Sequence, residues 1–202
     1  MSEDGDECEV RPATPADLDW IFRLEIETYT AEYAVARAKL DEWFCANPDG
    51  FSVFTLGGRN VGQLTMLPLR PVLLEDFARG TIREQDIRGD SLYTPAERHL
   101  VRNLHVESII LRPAAGGASP PLKALVCLGR NFPRLVQRIC EPENLERVYA
   151  LGASGRGESL IRALGFRRMD RADPRRLYVA NYSDLEANVS ELYNRRVRND
   201  KA

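Results

Sequence analysis

The run from Asn103 to Phe132 constrains this chain more than any other part of it. Leu104-His-Val-Glu-Ser-Ile-Ile-Leu111 is rich in apolar and β-branched residues and reads as a strand. Arg112 to Pro121 follows as a small-residue loop holding Gly116, Gly117, Ala118 and Ser119. Ser119 then suits a helix cap, and Pro120 the first helical position. Leu122, Leu125, Val126, Leu128, Phe132, Leu135, Val136 and Ile139 give the helix behind it one apolar face. Pro133 either kinks this helix or starts a second segment after Asn131. A strand that feeds a glycine loop into a helix N-terminus presents N–H groups to an anion, a common way to hold a phosphorylated cofactor. A plain tight connection is the other use of such a loop.

Within the strand, simple alternation puts Leu104, Val106 and Ser108 on one face and His105, Glu107 and Ile109 on the other. Ile109-Ile110-Leu111 is apolar on both faces, as a strand buried between layers should be. Glu107 in such a setting needs a reason, because buried carboxylates are rare unless paired or solvated. Two reasons stay open: it lines a wet cleft together with His105, or it is the structural partner of an Arg from another segment. In a cleft, a carboxylate with a raised pKa can act as a general base. An imidazole, which titrates near about 6.5 when unperturbed, can do the same.

The flanking chain supplies layers for this unit. Glu9-Val10-Arg11 is a short first strand, and Thr14-Pro15-Ala16-Asp17 starts a helix with the pattern of a capping box. Leu18, Ile21 and Phe22 make its apolar stripe, with Glu25 near the edge. Tyr29 and Tyr33 extend that side, either as core packing at the helix end or as a wall of a substrate cleft. A second helix spans Ala34 to Phe44. Phe51–Leu56 and Val61–Leu67 are strands joined by a Gly57-Gly58 hairpin, with Gly62 marking a bulge or close packing. Residues 68–102 form a partly irregular insertion, with a short helix near Leu73–Phe77, a charged surface from Arg79 to Asp90, and a second cap at Thr94. Leu145–Leu151 is a further strand, Glu158–Leu164 a short helix capped by Gly165, and Arg175–Ala180 a last strand. These elements imply an α/β (α+β) chain with a mixed central sheet flanked by helices. The expected boundaries are an acidic tail at 1–8, one domain at 9–182, and a C-terminal helix with a basic tail at 183–202.

Composition removes several function classes. The 202 residues carry 28 basic and 30 acidic side chains, a formal net charge of -2, so no general basic field favours nucleic acid. No stretch reaches the roughly 20 apolar residues of a membrane span, and no secretion signal is expected from the start of the chain. Cys8, Cys45, Cys127 and Cys140 lack CxxC spacing and there are only two histidines, which argues against structural zinc and a disulfide framework. Cys127 and Cys140 fall at apolar helix positions and read as core residues. A reducing cytoplasm suits this pattern. The glycines form neither a dinucleotide fingerprint nor a Walker loop.

Three segments resemble the GNAT superfamily of acyl-CoA-dependent N-acetyltransferases. They are Val106-Glu-Ser-Ile-Ile-Leu-Arg-Pro with its loop and helix, Val148-Tyr-Ala-Leu-Gly-Ala-Ser with Ala163-Leu-Gly-Phe166, and Val10-Arg-Pro-Ala-Thr-Pro-Ala-Asp-Leu. The resemblance implies acetyl-CoA or CoA as co-substrate with no metal. Backbone groups at Ile109, Ile110 and Leu111 would pair with the pantetheine arm, and those of Gly116, Gly117, Ala118 and Ser119 with the pyrophosphate. The acceptor would be a small-molecule or protein amine, with Glu107 or His105 as base. The chain departs from the family where Pro120 and Pro121 remove two N–H donors, and where Ile161 stands at the position many members give to a Tyr acid. Tyr149 is the substitute considered for that acid. The strand pattern leaves room for a homodimer. A non-catalytic module of the same fold, binding CoA or a protein partner, is the alternative to a working acyltransferase.

Overall fold

The computed structural model describes residues 8–30, 33–112, 122–170 and 176–199. Its framework is a seven-stranded mixed sheet of order β1-β2-β3-β4-β5-β7-β6. The strands are β1 (Cys8–Pro12), β2 (Phe51–Leu56), β3 (Arg59–Leu67), β4 (Asn103–Leu111), β5 (Arg147–Leu151), β6 (Arg167–Arg168) and β7 (Leu177–Asn181). Every neighbouring pair is antiparallel except β4 with β5. One face carries α1 (Leu18–Thr28), α2 (Arg37–Ala46) and α3 (Pro71–Arg79), and the other carries α4 (Leu122–Ile139) and α6 (Tyr182–Asn199), with α5 (Gly155–Ala163) joining the second group.

Each face has its own apolar core. Leu64, Met66, Leu104 and Val148 pack with Val136 and Ile139 of α4 and Leu185 of α6. Phe51, Val53 and Leu67 pack with Ile21 of α1, Leu40 and Trp43 of α2, and Phe77 of α3. Cys127 and Cys140 are buried in the first core, as their helix positions imply. Burial on both faces explains why β3 and β4 read as near-continuous apolar runs.

Local chemistry sets the element ends. The Thr14 backbone N–H and hydroxyl both donate to Asp17, at 2.7 and 2.8 Å, and Arg11 clasps the same carboxylate at 2.7 and 2.8 Å. The Arg11 guanidinium holds the Asp17 carboxyl well below the usual carboxylate range. Helix α1 thus starts through a short 3-10 turn, Pro15–Asp17. Gly57 and Gly58 both have positive φ, 55° and 72°, which lets two residues reverse the chain between β2 and β3. Helix α4 runs unbroken through Pro133, so the restart considered at Asn131 does not occur.

The insertion is not wholly a charged surface. Ile87 and Gly89 are buried, while Arg79, Arg83, Arg88 and Asp90 are exposed. Trp43 Nε1 donates to the Ile87 carbonyl at 2.9 Å and Asn47 Nδ2 to the Tyr93 carbonyl at 2.8 Å, which fastens the segment to α2 and its end. The short helix is longer than expected, spanning Pro71–Arg79.

Candidate active site

The register of β4 against β3 decides which side chains meet. Thr65 pairs with Ser108, but Met66 pairs with Val106, so Glu107 is an extra residue in a β-bulge. The bulge overturns simple alternation. Ile109 and Leu111 join Leu104 and Val106 on the α4 face. Ser108 instead lies on the same side as His105, toward α1. Alternation assumes an unbroken ladder, and one inserted residue inverts the face of everything after it.

A second irregularity lies on the other edge of β4. Its pairing with β5 runs only from Asn103↔Arg147 to Val106↔Ala150. Beyond Val106 the two parallel strands have separated. Ile109, Ile110 and Leu111 keep β3 on one side and have no ladder partner on the β5 side. The backbone groups there can pair with an extended ligand arm. Gly116, Gly117, Ala118 and Ser119, the anion loop expected from the sequence, lie outside the described residues.

Under the bulge, α1 contributes a carboxylate that the sequence placed only at a stripe edge. Glu25 is fully buried. Its Oε1 accepts from Gln63 Nε2 at 2.7 Å and from Ser108 Oγ at 2.6 Å. Gln63 Nε2 also donates to Ser108 Oγ. Thr65 Oγ1 donates to Gln63 Oε1 at 3.0 Å, which fixes the amide so that its NH2 faces Glu25. Glu25 Oε2 and Glu107 Oε2 are both buried and without a hydrogen-bond partner. Burial pushes the Glu25 carboxyl up to about 7 against the lowering pull of the Ser108 hydroxyl, and the Glu84 charge adds to the rise. Glu107 is driven well above the usual range by burial, then by the charges of Glu25 and Glu84, with Ser108 opposing.

Glu84 comes from the insertion. It bonds His105 Nε2, and the ring of Phe77 lies 4.7 Å from that imidazole, centroid to centroid. His105 is fully buried, and its Nδ1 has no partner. The structure therefore encloses His105 and Glu107 rather than leaving them in an open wet cleft, and the partner from the insertion is a carboxylate on His105, not an Arg on Glu107. Among the described residues, no Arg or Lys bonds to Glu25, Glu84 or Glu107. Nor is any group of three or more His, Cys, Asp or Glu among them placed to hold a metal ion.

Tyr29 ends α1 beside this cluster. Burial raises its phenol well above the usual value, and the charges of Glu25, Glu107 and Glu84 add to that. Tyr33 is half-buried. Tyr149, in register with His105 across β4 and β5, packs in the core on the α1 side. Ile161 lies on α5 against the other core, and Ser154 caps that helix by accepting from the Gly157 N–H at 3.1 Å. Arg112, at the end of β4, bonds Glu27 at 2.7 Å and lies over the Trp20 ring. Sequence reasoning missed Glu25, Gln63, Ser108 and Glu84 as site residues. The signal for Glu25 was available: a carboxylate one helical turn beyond Ile21 and facing the same way.

Neither a protein-family model nor a curated protein sequence matches the chain. Solved structures match in shape. GphF, a GNAT-like decarboxylase in complex with isobutyryl-CoA, is 18% identical with a TM-score of 0.59, over 86% of this chain and 99% of its own. The loading GNATL domain of CurA from Lyngbya majuscula is 12% identical with a TM-score of 0.57, over 88% of this chain and 99% of its own. An aminoglycoside acetyltransferase in complex with coenzyme A and kanamycin is 13% identical with a TM-score of 0.50, over 90% and 98%. The chain has the fold of the GNAT superfamily.

Proposed function

We propose that this chain is an N-acyltransferase that moves an acetyl or related acyl group from acyl-CoA to a primary amine by direct attack. The observation that carries this reading is the pair of partnerless buried carboxylate oxygens, Glu25 Oε2 and Glu107 Oε2, beneath the point where β4 parts from β5. The open edge at Ile109–Leu111 would receive the pantetheine arm, with the loop at Gly116–Ser119 at its phosphate end. The amine arrives largely as ammonium and must lose a proton before attack. The acid cluster around Glu107 and His105 attracts that cation and takes the proton. Tyr29 and Tyr33 would form the wall beside it. Tyr149 is the candidate proton donor to the leaving thiolate. Orientation along the strand edge supplies much of the remaining rate.

Two of these neighbours in shape are complexes with CoA or an acyl-CoA, which supports a CoA ester as donor. One of them, GphF, is a GNAT-like decarboxylase. An acyl group bearing its own carboxylate would meet three acids here and no bonded cation among the described residues, so an ammonium is the better match for the cluster. A module that binds CoA or a protein partner without turnover is the second reading, favoured by Pro120, Pro121 and Ile161. Calorimetric titration with acetyl-CoA and CoA separates these. Micromolar binding followed by thioester consumption with an amine panel, lost in the Glu25→Gln, Glu107→Gln double variant, is the expected result. No binding up to millimolar, or binding without turnover of any amine, would refute the acyltransferase.

A further inference from the structure

We infer that Glu25, rather than Glu107, is the ionised member of the buried carboxylate pair and takes the ammonium proton on its Oε2, while Glu107 stays protonated beside it. This deepens the acyltransfer reading and rests on it. Two carboxylates in one enclosure, faced by a third from Glu84, do not both ionise. The hydrogen-bond geometry says which one holds the charge. Glu25 Oε1 receives two donors, Gln63 Nε2 at 2.7 Å and Ser108 Oγ at 2.6 Å. Thr65 fixes the Gln63 amide from behind. Such donors stabilise an anion and leave no lone pair free for a proton on that oxygen. A proton reaching Glu25 must settle on Oε2, the oxygen without a partner.

Among the described residues Glu107 has no comparable clamp, only the single hydroxyl of Ser108. Its place in the bulge sets it beside Ser108, whose single hydroxyl hydrogen is already given to Glu25. The groups facing Glu25 are Glu107 and Ser108 of β4, Gln63 of β3, Glu84 of the insertion, which itself bonds His105, and Tyr29 of its own helix end. Among the described residues, no Arg or Lys bonds to Glu25, Glu84 or Glu107. The donors bonded to Glu25 among the described residues, Gln63 and Ser108, are neutral dipoles, so an arriving ammonium is its natural partner.

The ammonium gives one proton to Glu25 Oε2, and the freed nitrogen lone pair forms the C–N bond to the thioester carbonyl carbon. Collapse of the tetrahedral adduct breaks the C–S bond. The second nitrogen proton reaches the thiolate sulfur, directly or through the Tyr149 hydroxyl, and Glu25 releases its proton to solvent. Gln63, Thr65 and Ser108 are positioning residues in this scheme.

The test is a carbon-13 titration of protein labelled at the glutamate side-chain carboxyls, on the free protein. One resonance is expected to titrate near 7. It should vanish in Glu25→Gln and persist in Glu107→Gln. Ser108→Ala should raise its midpoint by about one pH unit or more, the loss of one hydrogen bond to a charged group. A midpoint that persists in Glu25→Gln and vanishes in Glu107→Gln overturns the assignment, as does a titration with no carboxyl changing between about pH 5 and 9. If Glu25→Gln does not fold, the Glu107→Gln and Ser108→Ala titrations decide alone. In turnover, Glu25→Gln should abolish the rise in rate toward pH 7. Wild-type protein that titrates as expected but consumes no thioester refutes the acyltransfer reading and leaves the charge assignment standing.

Discussion

Raising the pH from about 5 to 7 is expected to destabilise this protein, and Glu25 is the reason. Its carboxyl rises from an ordinary 4.5 to about 7 on folding, chiefly through burial. The folded chain therefore holds a proton that the unfolded chain has shed. Below 4.5 both forms are protonated and the native contribution is present in full. Between 4.5 and 7, each pH step removes about 1.4 kcal/mol, so about 3 kcal/mol is lost by neutrality. Above that, Glu25 adds no further loss. Glu107 acts in the same sense and extends the decline to higher pH, because its carboxyl is raised too. Asp17 and Glu97 act oppositely, since Arg11 and Arg70 lower them, and their stabilisation disappears as the pH falls through the acid range below 4. The two effects occupy different windows. Urea midpoints at pH 5, 6, 7 and 8 for wild type and Glu25→Gln make the comparison. The wild type should fall by a few kcal/mol, and the variant should be flatter by about 3 kcal/mol. A wild-type midpoint that is level or rising over this range, or an equally steep Glu25→Gln, would refute the reasoning.

Other perturbations test the framework around the site. In Gly62→Ala the new Cβ would meet Leu111 Cδ2 at 2.5 Å and the Ile110 carbonyl oxygen at 2.6 Å, so β3 and the free end of β4 must part. A loss of about 1–3 kcal/mol in urea unfolding is expected, with weaker CoA binding by calorimetry. Arg138→Met removes bonds to the Asp49 carbonyl at 2.8 Å, the Phe51 carbonyl at 2.9 Å and Ser52 Oγ at 2.6 Å, and should cost about 2–4 kcal/mol by the same assay. Trp43→Phe leaves the Ile87 carbonyl without its buried donor and should cost about 1–3 kcal/mol, with faster amide exchange from residue 84 to 92. Glu84→Gln weakens the link between the insertion and His105 and should speed exchange in that segment without changing the exchange of β1 and β2.

Much of the architecture was legible because it rests on local chemistry. Thr14 with Asp17, the Gly57-Gly58 reversal, and the apolar face of α4 each announce an element within a few residues. The family resemblance on Val106–Pro113 and Ala163–Phe166 likewise agrees with the fold observed. The site was less legible because it is made of long-range placements. Whether Ser108 faces α1 depends on one bulge residue, and nothing in the alternation of β4 marks Glu107 as the extra one. The pairing of His105 with Glu84 joins a strand to a charged stretch that looks like surface, and only the fold of the insertion buries that one carboxylate among exposed neighbours. Glu25 was visible on the α1 stripe, but its donors Gln63 and Ser108 come from two other elements. Helix propensity and strand period do not carry such information.

Three carboxylates from three separate elements meeting beneath one sheet opening is a costly arrangement. Glu25, Glu84 and Glu107 are all buried; the Glu84 charge raises the cost of ionising Glu25, and the charges of Glu25 and Glu84 raise that of ionising Glu107. For stability alone, apolar residues of similar size would serve better at these positions. Two features tie the cost to a use. The donors are distributed unevenly, two on one oxygen of Glu25 and none on its other oxygen or on Glu107 Oε2. Glu107 directly follows Val106, the last β4 residue that β5 pairs. A cation there would gain the full attraction of the cluster in a low-dielectric setting and would relieve the mutual repulsion of the acids. On the proposed reading, the same acids that lower the resting stability of the fold at neutral pH would be the groups that select an ammonium over a neutral or anionic acceptor.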